Sequence, residues 1–340
     1  MPEGVTLGLI TILVLAVVFD YINGFHDTAN AIATSVSTRA LKPEYAIILS
    51  ATANFVGALT GTAVAQTIAT GLVNPLPDPG TGVNPNEIVV MAALFGAIVW
   101  NLITWRLGIP SSSSHALIGG LLGASIAGGG LAAIQWSGVF SKVLVPLVSS
   151  PVIGFVGAFA LMALIFWLFK RGHPHRLNDR FRRLQVGSAT YMAFSHGSND
   201  AQKTMGIMTL ALFSAGLIDT TEVPLPVILV AATAISLGTA AGGWRIIKTM
   251  GQGIVKLDPV HGFAAETTAA TVIFGASHFG IPVSTTQVIA SAILGVGSVD
   301  RPKAVHWGVA GDIVTAWVLT IPAAGAIAGL TFFVLWTLLK

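Results

Sequence analysis

The chain of 340 residues contains no cysteine, which removes disulfide frameworks and thiolate metal sites from consideration. Charge is scarce as well. Asp, Glu, Lys and Arg together make up 9% of the residues, against about 25% in a soluble domain. The N-terminus has no basic stretch ahead of its first apolar run, so that run reads as a retained segment and not as a cleaved signal peptide. No His-Glu-x-x-His spacing and no Gly-x-Ser-x-Gly elbow occurs, so neither a zinc protease nor a serine hydrolase is indicated.

What the chain does have is apolar length. Residues 5–22, 44–73, 87–105, 144–169, 223–242, 259–279 and 304–339 each approach or exceed the roughly 20 residues that span hydrocarbon. With 54% apolar residues and a mean hydropathy of +0.80, the chain reads as an all-α polytopic membrane protein. The net charge of +3 describes one segment more than a nucleic-acid surface. Residues 170–183 hold six of the 17 Lys and Arg and one acid, Asp179. Such a loop is expected on the cytoplasmic side. It separates a first membrane repeat (1–169) from a second (186–340), with 170–185 as the linker.

Two motifs recur at one spacing. Gly24-Phe25-His26-Asp27-Thr28-Ala29-Asn30 is matched by Gly197-Ser198-Asn199-Asp200-Ala201-Gln202-Lys203, so that Asp27 and Asp200 are equivalent. Gly108-Ile109-Pro110, followed by Ser111 to Ser114 and His115, is matched by Gly280-Ile281-Pro282, followed by Val283, Ser284, Thr285, Thr286 and Gln287. Duplicated halves with polar, Gly-interrupted segments at matching positions point to a transporter whose site lies at the repeat interface. Inverted repeats require an odd number of crossings between equivalent points, and would leave the termini outside. The stretch 110–136, a re-entrant hairpin or a full crossing, sets that parity. Its Gly-Pro start and Gly123, Gly128, Gly129 and Gly130 favour the hairpin.

The two motifs carry opposite chemistry. An intramembrane carboxylate costs about 2.5–3.5 kcal/mol on an insertion scale, so paired acids at equivalent positions read as functional. Asp27 with Asn30, and Asp200 with Asn199 and Gln202, offer hard oxygens to a small cation or a proton. Ser112, Ser113 and Ser114, like Ser284, Thr285 and Thr286, stand near helix starts. There, unpaired N–H groups and the positive dipole end bind anions. Acids beside an anion cradle favour phosphate, which still carries a proton to donate, over fully ionised sulfate. His26, His115, His196, His261, His278 and His306 are scattered without metal-ligand spacing and carry less weight, and His115 reads as a polar packing residue. His115 is also a candidate proton-sensitive neighbour of the anion site.

Phe19 to Ala31, Ser195 to Asp200, the two Gly-Ile-Pro motifs, Gly242-Gly243-Trp244-Arg245 and Phe263 to Thr268 together resemble the inorganic phosphate transporter (PiT) family nearly end to end. The resemblance implies two inverted repeats with broken helices and re-entrant hairpins, in a homodimer in the cell membrane. It also implies secondary active import of inorganic phosphate, with no enzymatic step, resident metal, cofactor or nucleic-acid partner. Asp27, Asp200 and both hydroxyl clusters would line the site. The chain departs from the sodium-coupled pattern at Lys203, which stands where the first half has Asn30. Similar bacterial low-affinity permeases share that ending and are proton-coupled, sometimes carrying a divalent metal–phosphate complex. Sodium coupling, or another oxyanion as cargo, is the alternative. Glu266 is a candidate proton relay or the acid of a structural salt bridge.

Overall fold

The computed structural model describes residues 6–69, 72–77, 80, 83–300 and 302–340. The first residue of the apolar run 5–22 and residues 70–71 of the run 44–73 lie outside that set. The elements are α1 (Leu7–Ser37), α2 (Pro43–Ala58), α3 (Ala63–Ala69), α4 (Pro85–Leu107), α5 (Ser113–Gly129), α6 (Trp136–Val139), α7 (Val145–Phe169), α8 (Pro174–Ser214), α9 (Leu225–Ala241), α10 (Trp244–Lys248), α11 (Pro259–His278), α12 (Thr285–Asp300) and α13 (Trp307–Leu339). Among the described residues the sole β-type pairing is one bridge, Val73 with Ile134. Proline sits in the first turn of α2, α4, α8 and α11, where its missing N–H costs nothing.

Among the described residues five stretches are long and apolar enough to cross a bilayer: α1, α4, Ser113–Ala133, Trp136–Phe169 and α13. α9 and α10, bent by 63° around Gly242 and Gly243, form a sixth if taken as one span. The outer faces of α7 and α13 expose Val148, Val152, Val156, Val318, Leu330 and Phe333, as expected of surfaces solvated by acyl chains.

Three sequence expectations are corrected. The acid motifs do not break their helices, because Asp27 and Asp200 lie inside the continuous helices α1 and α8. The glycines there serve close approach instead. A Cβ at Gly24 would stand 2.2 Å from the Ile235 carbonyl, and one at Gly197 2.2 Å from the Asn54 carbonyl. The basic segment is a turn only as far as His173. Pro174 starts a helix that nothing interrupts for 41 residues, so most of the linker belongs to α8. Residues 110–136 are neither a hairpin alone nor an isolated crossing. α5 turns back along α4, and the two helices form the hairpin. α11 and α12 do the same, and their open end is tied by His261 Nε2, 3.1 Å from Asp300 Oδ1.

The hairpin tips turn at Gly108 (φ +70°) and Gly280 (φ +68°), a left-handed conformation that favours glycine. Each half lends elements to the other: α1 packs on α9 and α8 on α2, while α5 packs on α13 and α12 on α7. Beside a small cluster of Leu72, Ile118, Ile134, Val139 and Val143, two large hydrophobic cores result. One takes α1 residues 12–22 with α8 residues 201–208; the other takes α1 residues 29–33 with α8 residues 181–193. Asp27 and Asp200 lie at the boundary between the cores. That boundary is where the polar chemistry collects.

Candidate functional site

Ser112 caps α5, its hydroxyl accepting from the His115 amide at 3.2 Å, and Ser284 does the same for Gln287 at 3.3 Å. Spending these two hydroxyls on the caps places Ser113, Ser114, Thr285 and Thr286 in the first turns of α5 and α12. From there they face the acids. Ser113 donates to Asp27 Oδ2 at 3.4 Å and Thr286 to Asp27 Oδ1 at 3.5 Å, while Thr285 donates to Asp200 Oδ2 at 3.1 Å. Asn30 Nδ2 donates to Thr286 at 2.9 Å and to Thr285 at 3.4 Å. Lys203 Nζ donates to Asp200 Oδ1, to Ser114 Oγ and, at 3.3 Å, to the Val283 carbonyl. All of these side chains are buried, Asp200 completely.

The geometry therefore brings together Asp27, Asn30, Ser113, Ser114, Asp200, Lys203, Thr285 and Thr286. Ser112 and Ser284 stand beside them as caps. Other expected residues face elsewhere. Asn199 donates to Ser277 at 2.8 Å, and Gln202 accepts from the Val64 amide at 2.8 Å, capping α3. Glu266 sits in a separate cluster with Thr34, Gln185 and Ser188, and no salt bridge reaches it among the described residues. His115 pairs with Gln287 at 3.4 Å, behind the cradle.

Two histidines given little weight from the sequence lie against the acids. His26 Nδ1 lies 2.6 Å from Asp27 Oδ1, and His196 Nε2 lies 3.1 Å from Asp200 Oδ2. A signal for them exists in the motif. The positions four and one before each acid carry Asn23 and His26 in one half, but His196 and Asn199 in the other. The same two residue types are exchanged, which hid the imidazoles from a position-by-position match. Atoms of Asp27, His196 and Asp200 lie within 4.8 Å of one another, so His196 adds a nitrogen to the carboxylate oxygens that could meet one cation.

Two helix N-termini with hydroxyls thus confront two buried carboxylates, one of which is matched to a fixed ammonium. Such an arrangement can cradle an oxyanion and offers acceptors beside the donors. A profile of the phosphate transporter family matches residues 23–328. The chain belongs to that family. It is 49% identical over 327 residues to a probable low-affinity inorganic phosphate transporter of Bacillus subtilis (strain 168), covering 96% of each chain. It is 50% identical over 327 residues to one of Rhizobium meliloti (strain 1021), again with 96% of each covered. Among solved structures, one described as the sodium-dependent phosphate transporter matches with a TM-score of 0.86 at 26% identity, over 98% of this chain and 100% of that one. The protein is a transporter and not an enzyme, and phosphate is its family's substrate.

Proposed function

We propose that the chain imports inorganic phosphate in symport with protons, binding it between the tips of the α4–α5 and α11–α12 hairpins. The N-terminal amides of α5 and α12, with Ser113, Ser114, Thr285 and Thr286, hold the phosphate oxygens. A proton still on phosphate is donated to Asp27, an interaction that sulfate cannot make. The cargo is phosphate, alone or complexed with a divalent cation at Asp27, His196 and Asp200. The inverted arrangement is supported by the two cores: the early part of α1 shares a core with the late part of α8, and the reverse holds in the other core. On this reading the basic start of α8 faces the cytoplasm of a cell-membrane protein.

The observation that carries proton coupling is Lys203. Its ammonium bonds Asp200, Ser114 and the Val283 carbonyl, so one cation position of a two-acid site is filled by the protein's own charge. A mobile sodium ion there would meet like-charge repulsion in a medium of low dielectric. The sodium-coupled alternative is favoured by the description of the structural relative. Proteoliposomes with separately imposed gradients decide between them. An inward pH gradient without sodium accumulates phosphate, and Lys203→Asn impairs that accumulation. Strict dependence on sodium, unchanged in Lys203→Asn, overturns the reading.

A further inference from the structure

Away from the phosphate site, the core shared by the late part of α1 and the early part of α8 encloses one acid, Glu266, at 0% exposure. Thr34 on α1 donates to Oε1. Gln185 Nε2 on α8 donates to the same oxygen at 3.0 Å, and Ser188 Oγ on α8 donates to Oε2 at 2.5 Å. Thr38 Oγ1 donates to Gln185 Oε1 at 2.7 Å, which fixes the amide with its N–H side toward Glu266. The equivalent place in the opposite half has no such cluster, and the buried acid of that core, Asp20, lies elsewhere, accepting from Thr204 at 3.0 Å. At the repeat offsets, Thr34, Gln185, Ser188 and Glu266 correspond to Ile207, Ile12, Leu15 and Leu94, all apolar. Packing therefore does not require a polar cluster at this place in the fold.

None of the partners bears a charge. The elements packed on α11 are α8, α12, α7, α1 and α3. Their titratable groups include Arg182, Arg183, Tyr191, His196, Asp200 and Lys203 on α8, Asp300 on α12, Asp20, His26 and Asp27 on α1 with Arg39 just beyond it, and Lys170 just after α7; α11 itself adds His261 and His278. None is a hydrogen-bond or ion-pair partner of Glu266 among the described residues. A buried carboxylate without a matching cation is costly, and the usual relief is to take up a proton.

We propose that Glu266 is the residue that carries the coupled proton, apart from the phosphate itself. Ser188 makes both states satisfiable. Its hydroxyl also lies 3.2 Å from the Gln185 carbonyl. With Glu266 ionised, Ser188 donates to Oε2. With Glu266 protonated, Oε2–H donates to Ser188 Oγ and the Ser188 hydroxyl turns to the Gln185 carbonyl. The step is one proton gained from one side of the membrane and lost to the other, with no buried polar atom orphaned in either state. α11 carries Glu266 and leads directly into the tip that bears Ser284, Thr285 and Thr286, so the protonated and ionised states act on an arm of the phosphate site.

The inference rests on proton coupling, and the test separates the two. Purified protein in proteoliposomes is assayed for pH-driven phosphate accumulation and for exchange of internal with external phosphate at equal pH. The parent accumulates and exchanges; a parent without pH-driven accumulation defeats the coupling reading itself. Glu266→Gln, which keeps the shape and cannot cycle a proton, is expected to lose accumulation at least tenfold while exchange falls less than threefold. Ser188→Ala is expected to lower accumulation and to shift its pH profile. Normal accumulation in Glu266→Gln overturns the proposal. So does equal loss of exchange and accumulation in both variants, because the cluster then only holds α11 in place. Sodium-driven uptake that Glu266→Gln removes at clamped pH would make this a sodium site and overturn the proton assignment.

Discussion

The two acids of the proposed phosphate site occupy equivalent positions and live under different conditions. Asp200 has the Lys203 ammonium on one oxygen and Thr285 at 3.1 Å on the other, with His196 beside it. Asp27 has His26 at 2.6 Å, but its two hydroxyl contacts, Ser113 at 3.4 Å and Thr286 at 3.5 Å, are at the edge of hydrogen-bond range. One acid is matched in advance by an ammonium; the other is closely held only by His26 and engages its hydroxyl neighbours loosely. On the proposed reading the difference divides the labour: Asp200 with Lys203 would be a fixed dipolar wall, and Asp27 the acceptor that the arriving substrate can still claim.

The sharpest way to break this comparison is to remove a partner from each acid. Lys203→Met leaves Asp200 buried without its cation, and loss of one member of a buried pair costs about 3–5 kcal/mol. Asp27→Asn removes a carboxylate with no fixed cation and is expected to cost far less. Thermal unfolding in detergent, with phosphate absent, should show a large drop for Lys203→Met and a small one for Asp27→Asn. Both variants should nevertheless fail to transport. Equal destabilisation would mean that the two acids are held alike. Asp200→Asn belongs with the costly changes, since it strands Lys203. The double variant Asp200→Asn with Lys203→Met should recover much of the stability without recovering uptake.

The same asymmetry governs the hydroxyls. A hydrogen bond to a charged group contributes about 1.5–3 kcal/mol, so losing one from bound phosphate should raise the dissociation constant roughly ten- to a hundredfold. Ser113 makes only a long contact to Asp27, which leaves it available to substrate. Thr285 is engaged at 3.1 Å with Asp200. Ser113→Ala should therefore weaken phosphate binding more than Thr285→Ala, as read by equilibrium binding of labelled phosphate to purified protein. The opposite order would assign the substrate to the second half.

Much of this site was legible before any coordinates. Asp27, Asp200 and the hydroxyl runs stood out because a polar side chain in an apolar segment is costly and these recur in register. Lys203 stood out as a break in the repetition. His26 and His196 did not, because their places are exchanged with Asn23 and Asn199 between the halves. The continuity of α1 and α8 was illegible for a different reason. Gly24 and Gly197 look like breaks in a sequence, and only the neighbouring backbones of α9 and α2 reveal that they admit close contact. Asn199 braces Ser277 through Nδ2 and Gln202 caps α3, since an amide can cap or brace as readily as it can ligate, and the buried Asn199 Oδ1 has no hydrogen-bond partner among the described residues. The pairing of α5 with α4 depends on a turn whose direction no local residue states.

The smallest expected effect tests where the halves should agree. Ser112 and Ser284 cap α5 and α12 with nearly the same geometry, 3.2 and 3.3 Å to the third amide onward. Replacing a serine cap by alanine costs about 0.5–2 kcal/mol, and by glycine only a few tenths. Ser112→Ala and Ser284→Ala should therefore lower the unfolding temperature by similar amounts, with the glycine variants close to the parent. A cap acts on phosphate only by orienting the first turn, so the glycine variants should bind it with near-parent affinity. If Ser112→Gly instead loses binding as severely as Ser113→Ala while remaining folded, the capping hydroxyl contacts the substrate itself. The division between caps and cradle would then fail in the first half, and the matching result at Ser284 would show whether it fails in both.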